Sequence, residues 1–274
     1  MQNINDKERI RQDERLEEKM ASINYKIIVI SGKGGVGKTT VAINLAYSLA
    51  LRGKQVGILD VDIHGPNIAK MLGVEGARIT GSDNGIEPVK VLPNLKAISL
   101  AFVGKDQERP IIWRGPLKMG VIKQFLSDVN WGRLDYLVID SPPGTGDEPL
   151  SVCQLIPNLN GAVVVTTPQD VATLDSRKSV LFAKELNVPV IGIIENMSGF
   201  ICPYCGKEID LFGKGGAEAS ARKLNVPFLG RIPVEPEIVK LSDSGKPFVY
   251  FNKDLAASKV TDEIIEKIIA YLEG

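Results

Sequence analysis

An α/β fold with a doubly wound, mostly parallel sheet flanked by helices is what the sequence predicts. Three observations carry this: short β-branched runs alternate with longer helical patterns, the strand runs are apolar at nearly every position, and a glycine-rich loop joins the first such run to the helix after it. Runs that are apolar throughout are buried on both faces, as helices packed on both sides of a parallel sheet require.

The chain begins with "MQNINDKERIRQDERLEEKM", dense in both signs of charge and without an apolar run. Residues 1–24 therefore read as a charged arm or solvated helix, neither a signal peptide nor a membrane span. Residues 25–274 read as one domain, without repeats or a flexible linker. "YKIIVIS" is the first strand, "TTVAINLAYSLALRG" the helix that follows and "QVGILD" the second strand. Residues 73–95 interrupt the alternation with glycines, prolines and short strand-like pieces, so a hairpin or surface insertion is expected. The alternation resumes with "LDYLVIDS", "GAVVVTT", the helical "SRKSVLFAKELN" and "PVIGIIEN". In the last helix Val260, Ile264, Ile268 and Leu272 form one stripe, with Ile265 and Ile269 beside it. Its polar face carries Asp262, Glu263, Glu266 and Glu273 against Lys259 and Lys267. A membrane-surface helix is basic there, so this one is expected to pack on the sheet.

The 274 residues are 44% hydrophobic, enough for a sizeable core. Lys plus Arg and Asp plus Glu balance at 33 each, so no net field draws the chain to nucleic acid or an anionic membrane, and neither is an expected partner. The longest apolar runs are of strand length, far short of the roughly 20 residues of a spanning helix. Three cysteines make no disulfide framework, which points to a reducing compartment, the cytoplasm.

"SGKGGVGKTT" satisfies the P-loop pattern from Gly32 through Gly37 and Lys38 to Thr39. In the stretch Gly32, Lys33, Gly34, Gly35, Val36, Gly37, Lys38, Thr39 and Thr40, the glycines let backbone N–H groups close around phosphate oxygens. Lys38 reaches the outer phosphates, and the Thr39 hydroxyl can ligate Mg²⁺. "GILDVDIHGPN" ends a strand run at Asp60 and Asp62, and "YLVIDSPPGTGDE" ends another at Asp140. A carboxylate at a strand's C-terminal end beside a P-loop is well placed to hold Mg²⁺, directly or through water. Gly144 and Gly146 give the loop after Asp140 freedom to respond to a γ-phosphate. His64 reads as polar surface, because phosphoryl transfer rests on positioning and electrostatics. No Asn-Lys-x-Asp guanine signature occurs; in "NKDL", Asn252 to Leu255, the aspartate comes one place early. The nucleotide is therefore expected to be ATP.

"GFICPYCGKEIDLF" spaces Cys202 and Cys205 as a metal-binding or redox pair. Three readings stand: a redox dithiol, half of a zinc site, or half of an iron–sulfur site. Glycines and a proline around the pair favour a knuckle over the helix N-terminus of a redox dithiol. The metal readings need two more ligands, and the chain offers only Cys153 and His64 besides. Cys153, in "SVCQLIP", reads as a buried small hydrophobe.

With Lys33, "KGGVGKTT" resembles the deviant Walker A motif of the MinD, ParA, nitrogenase iron protein and Mrp/ApbC superfamily of P-loop ATPases. The resemblance implies a nucleotide-sandwich homodimer in which Lys33 reaches the partner's nucleotide. Such a residue acts like an arginine finger supplied in trans, worth on the order of 10³ to 10⁵ in rate. The resemblance makes Lys33, Lys38 and Asp62 the catalytic set, with Asp62 positioning or activating water and Asp60 and Asp140 attending Mg²⁺ beside Thr39. It places Asn196 of "IIENMS" and Pro233 and Glu235 of "RIPVEPEI" around adenine, although the family commonly has aspartate where Glu235 stands. In a two-fold dimer a residue near the axis meets its own copy, so Cys202 and Cys205 of two subunits could close one four-thiolate site. "WRGPLKMGVIKQFLSDVNWGRLDYLVIDSPPGTGDEPLSVCQL" and "ENMSGFICPYCGKEIDLFGKGGAEASA" narrow the resemblance to the Mrp/ApbC group, from about Tyr25 to the C-terminus. That group implies an ATPase, slow and dimer-dependent, that carries a labile [4Fe–4S] cluster from upstream assembly proteins to apo iron–sulfur proteins. Zinc would take the same thiolates in an aerobic preparation. The rival reading is a MinD/ParA-like positioning ATPase with a zinc-stabilised dimer, and a thiol–disulfide enzyme is a weaker third.

Overall fold

The computed structural model describes residues 2–62, 67–82, 85–103, 115–202 and 204–274, with side chains except at 2–6, 82, 115–118 and 170–173. The N-terminal segment is helix α1 (Gln2–Ala21), and it is not a freely solvated arm. Leu16 and Met20, four residues apart and so on one face, are buried in the core. Asp13 pairs with Lys123 at 2.5 Å, and Lys19 donates to Asn130 at 2.9 Å.

Strand β1 (Ile23–Ile30), helix α2 (Lys38–Leu51) and strand β2 (Val56–Asp60) form the first βαβ unit. After α3 (Ile68–Met71), the expected insertion consists of two hairpins. One pairs β3 (Thr80–Ser82) with β4 (Gly85–Glu87), and the other pairs β5 (Val89–Leu92) with β6 (Leu95–Ile98). Next come α4 (Gly115–Ser127), β7 (Leu134–Asp140), α5 (Asp147–Leu155), β8 (Gly161–Thr166), α6 (Asp170–Glu185) and β9 (Val190–Glu195). A small hairpin of β10 (Phe200–Ile201) and β11 (Glu208–Ile209) leads into α7 (Gly216–Leu224) and β12 (Phe228–Arg231). Then α8 (Pro236–Asp243), α9 (Phe248–Phe251) and α10 (Ala256–Glu273) close the chain.

The main sheet has the order β12-β9-β8-β1-β7-β2-β6-β5 and is parallel except at β5, which runs antiparallel to β6. Successive residues of β1 serve opposite faces: Ile27 and Val29 join one core, with α2 and α10, and Ile28 and Ile30 the other, with α1, α4, α6 and α7. That double burial is why the strand runs lack polar alternation. On α10, Ile264, Ile265 and Ile268 are buried, with Val260, Ile269 and Leu272 packed against the same core. Its acidic side is tied down too, Asp262 and Glu266 by Arg52 and Glu273 by Lys54. No described helix is long and apolar enough to cross a membrane. β1 lies at the centre, flanked by β7 and β8, so the loop leaving its C-terminal end opens at the switch point where such sheets bind ligands.

Candidate functional site

The loop from β1 to α2 is shaped by its glycines. Gly37 is left-handed at φ 82°, and a Cβ there would stand 2.2 Å from Asn196 Nδ2, so any other residue would be strained and would displace that amide. Gly32 backs onto α6, where a Cβ would meet the Asp175 carbonyl oxygen at 2.4 Å. Gly34 and Gly35, by contrast, face open space. Val36 is buried and anchors the loop, and the Ser31 hydroxyl donates to the Lys33 carbonyl at 3.0 Å. The N-cap of α2 is Gly37, which has no side chain to cap it, so among the described residues the first N–H groups of the helix, with Thr40 in the opening turn, stay available to an anion.

Behind the loop, β2 and β7 run in register and set Asp60 beside Asp140, both buried. Lys38 Nζ lies 2.5 Å from one Asp140 oxygen, and the Thr39 hydroxyl donates to the other at 2.6 Å. Asp60 accepts from the Ser99 hydroxyl at 2.8 Å and from the Asp62 N–H at 2.9 Å. Burial pushes the Asp60 carboxyl up to about 8, the Asp140 charge adding to it, while Ser99, the Asp62 N–H and Lys38 pull the other way. Burial raises Asp140 as well, against the opposing pull of Lys38 and Thr39. Two adjacent buried carboxyls sharing one lysine leave room for a further positive charge. His64 lies outside the described residues.

Lys33 reaches in the other direction and donates to Gln169 Oε1 at 3.2 Å, at the cap of α6. At the end of β9, Asn196 Nδ2 donates to the Val36 carbonyl at 2.8 Å. The Ile232 N–H bonds the Glu195 carbonyl at 2.9 Å and draws the Pro233–Glu235 segment alongside. One Glu235 oxygen accepts from the Ala256 N–H at 3.1 Å and so caps α10, a structural task absent from the sequence reading. Its other oxygen is buried and has no hydrogen-bond partner among the described residues.

The cysteines stand at the tip of the β10–β11 hairpin. The Cys202 N–H donates to the Lys207 carbonyl and the Gly206 N–H to the Cys202 carbonyl, both at 2.9 Å, which makes a knuckle. The N–H groups of Tyr204 and Cys205, and then the Cys205 thiol, hold the Cys202 thiol below its usual range. Ile201, Tyr204, Ile209, Leu211 and Phe212 around it are all exposed, Tyr204 at 96%. Among the described residues no group of three or more His, Cys, Asp or Glu is placed to hold a metal ion. Cys153 packs against the core, and burial pushes its thiol up to about 11. Sequence reasoning missed Ser99, Gln169 and Glu195. Only Glu195 carries a local signal, since it ends an apolar run as Asp60 and Asp140 do.

A glycine loop entering a helix, a lysine at its end and an aspartate on each of two neighbouring strands define a P-loop NTPase of the doubly wound class. The chain belongs to the ParA family of NUBPL iron-transfer P-loop NTPases, whose model matches residues 22–269. It is 52% identical over 263 residues to the iron-sulfur cluster carrier protein of Methanocaldococcus jannaschii, covering 96% of this chain and 90% of that one. Among solved structures, a nucleotide-binding protein from Archaeoglobus fulgidus, in complex with ADP and with cobalt found, superposes with TM-score 0.76. It has 43% identity, covering 86% of this chain and 92% of the other. The septum site-determining protein MinD of Pyrococcus horikoshii, complexed with Mg-ADP, superposes with TM-score 0.67 at 25% identity over 89% and 95% of the two chains.

Proposed function

We propose that this chain is an ATP-hydrolysing carrier that binds a labile [4Fe–4S] cluster between two copies of itself and passes it to apo iron–sulfur proteins in the cytoplasm. The observation that carries this reading is an accessible cysteine pair, its Cys202 thiol held below the usual range, on the same chain as a P-loop, with no further ligand placed beside it among the described residues. Residues 25–274 act as one ATPase domain with the cysteine loop at 202–205, and 1–24 as an appended helix.

The site's residues fit the groups this requires. Open space over Gly34 and Gly35 and the uncapped start of α2 suit phosphates. The raised carboxyls of Asp60 and Asp140 suit Mg²⁺, which when bound neutralises phosphate charge. The unpartnered Glu235 oxygen suits an adenine amine. In this reading Lys38, now on Asp140, would hold the phosphates, and Thr39, Asp60 and Asp140 would hold the metal. Asp62 orients the attacking water, and Lys33 leaves Gln169 for the partner's nucleotide. The exposed apolar side chains around the cysteines suit burial against a second copy, where two pairs complete four-thiolate coordination.

Anaerobic reconstitution tests the proposal. Wild type takes up about four iron atoms per dimer with the visible absorption of a cluster, and the Cys202→Ser, Cys205→Ser double variant takes up none. Iron retained by the double variant sinks the assignment. ATP-dependent sedimentation with liposomes or DNA supports the positioning-ATPase rival instead.

A further inference from the structure

The Glu195 side chain is 0% exposed and sits at the joint between the two halves of the site. One oxygen accepts from the Ser198 hydroxyl at 2.6 Å and from the Gly215 N–H at 2.9 Å; the other accepts from the Ala217 N–H at 2.7 Å. Ser198 lies just before the cysteine hairpin, and Gly215 and Ala217 lie just after it, where Gly215 caps α7 without a side chain of its own. A single carboxylate therefore pins both ends of the segment that carries Cys202 and Cys205, and supplies the negative charge that the start of α7 favours. Arg231 Nε stands 3.3 Å from the oxygen that Ser198 and Gly215 share, an ion pair, and the same guanidinium also pairs with Glu218. The next residue is Asn196, whose amide holds the P-loop at Val36 and would clash with any side chain at Gly37. The backbone of residues 195–196 thus ties the phosphate loop to the base of the hairpin.

We propose that Glu195 is the positioning residue that carries nucleotide occupancy to the cysteine pair. A shift of the P-loop at Val36 moves Asn196, and Glu195, on the adjoining peptide, re-aims the hairpin as a body instead of letting it fray. The inference rests on the nucleotide-binding part of the reading above, but not on any metal or cluster.

The test uses reduced, metal-free full-length protein. The rate at which a maleimide alkylates Cys202 and Cys205 is followed by mass spectrometry, with and without ADP and Mg²⁺, the half-buried Cys153 outside the hairpin serving as the internal reference. In wild type ADP changes that rate roughly 5-fold or more, the lower end of site-to-site coupling in proteins. In Glu195→Gln, an amide that can accept at one end only, ADP binds with unchanged affinity while its effect on the thiols falls to near nothing. A cap with a purely structural role would raise the basal rate and leave the ADP response intact. Ser198→Ala, which removes one contact and spares the helix cap, shows a partial loss and keeps the test decisive should Glu195→Gln fail to fold. A full ADP response in both variants, or none in wild type that binds ADP, overturns the inference and leaves the carrier reading standing. Failure of wild type to bind ADP overturns both.

Discussion

At Gly37 backbone and packing make the same demand. Its φ is 82°, and the space where a Cβ would go belongs to Asn196. Gly37→Ala should destabilise the protein by about 1–2 kcal/mol from the left-handed backbone alone and displace the Asn196 amide from the P-loop. Calorimetric titration with ADP should then show weakened binding, and urea denaturation a lower midpoint. Asp140→Ala belongs to the same scale. It leaves Lys38, only 6% exposed, without its 2.5 Å partner, and losing one member of a buried pair costs about 3–5 kcal/mol. A lowered midpoint in urea denaturation of the nucleotide-free protein checks this. Lys38, Thr39 and Asp140 were legible because a short motif and a strand end mark them. Ser99 carried no mark, since a serine 39 residues from Asp60 becomes its partner only when β6 pairs with β2.

Among the elements, α10 was the most legible, because its apolar stripe runs from Val260 to Leu272 along one side of the helix and dictates one docking face. Its far end is held by charge. Glu273 accepts from Lys54 at 2.7 Å and from the Tyr136 hydroxyl at 2.5 Å, and these bonds, Lys54 first, keep its carboxyl below the usual range. A carboxyl lowered on folding contributes fully above its unfolded pKa, and the contribution is lost as pH falls through the lowered value. Hydrogen exchange in the last turn of α10 should therefore accelerate, relative to the rest of the helix, as the solution is acidified below the ordinary glutamate range. Glu273→Gln should abolish that pH dependence. The 73–95 insertion was legible only as an interruption. Glycines and prolines mark a break locally, but which strand β6 joins depends on the edge that β2 leaves open.

At the scale of the whole molecule Lys33 is the residue that reports on self-association. Within one chain it rests on Gln169; in the proposed dimer it serves the other copy's nucleotide. Lys33→Ala should leave ADP binding intact and cut ATP turnover by on the order of 10³ or more. The dependence of specific activity on protein concentration should disappear with it. Unchanged turnover would show that the residue has no such task. The doubly wound class, the phosphate loop, the strand-end aspartates and the cysteine knuckle could all be read along the chain. Each is written in a contiguous stretch whose spacing sets its own local geometry. The grip of Gln169 on Lys33 spans 136 positions and the capping of α7 by Glu195 spans 22. Such contacts form only where the packing of all the intervening elements brings the two ends together, so they became visible only in the folded molecule.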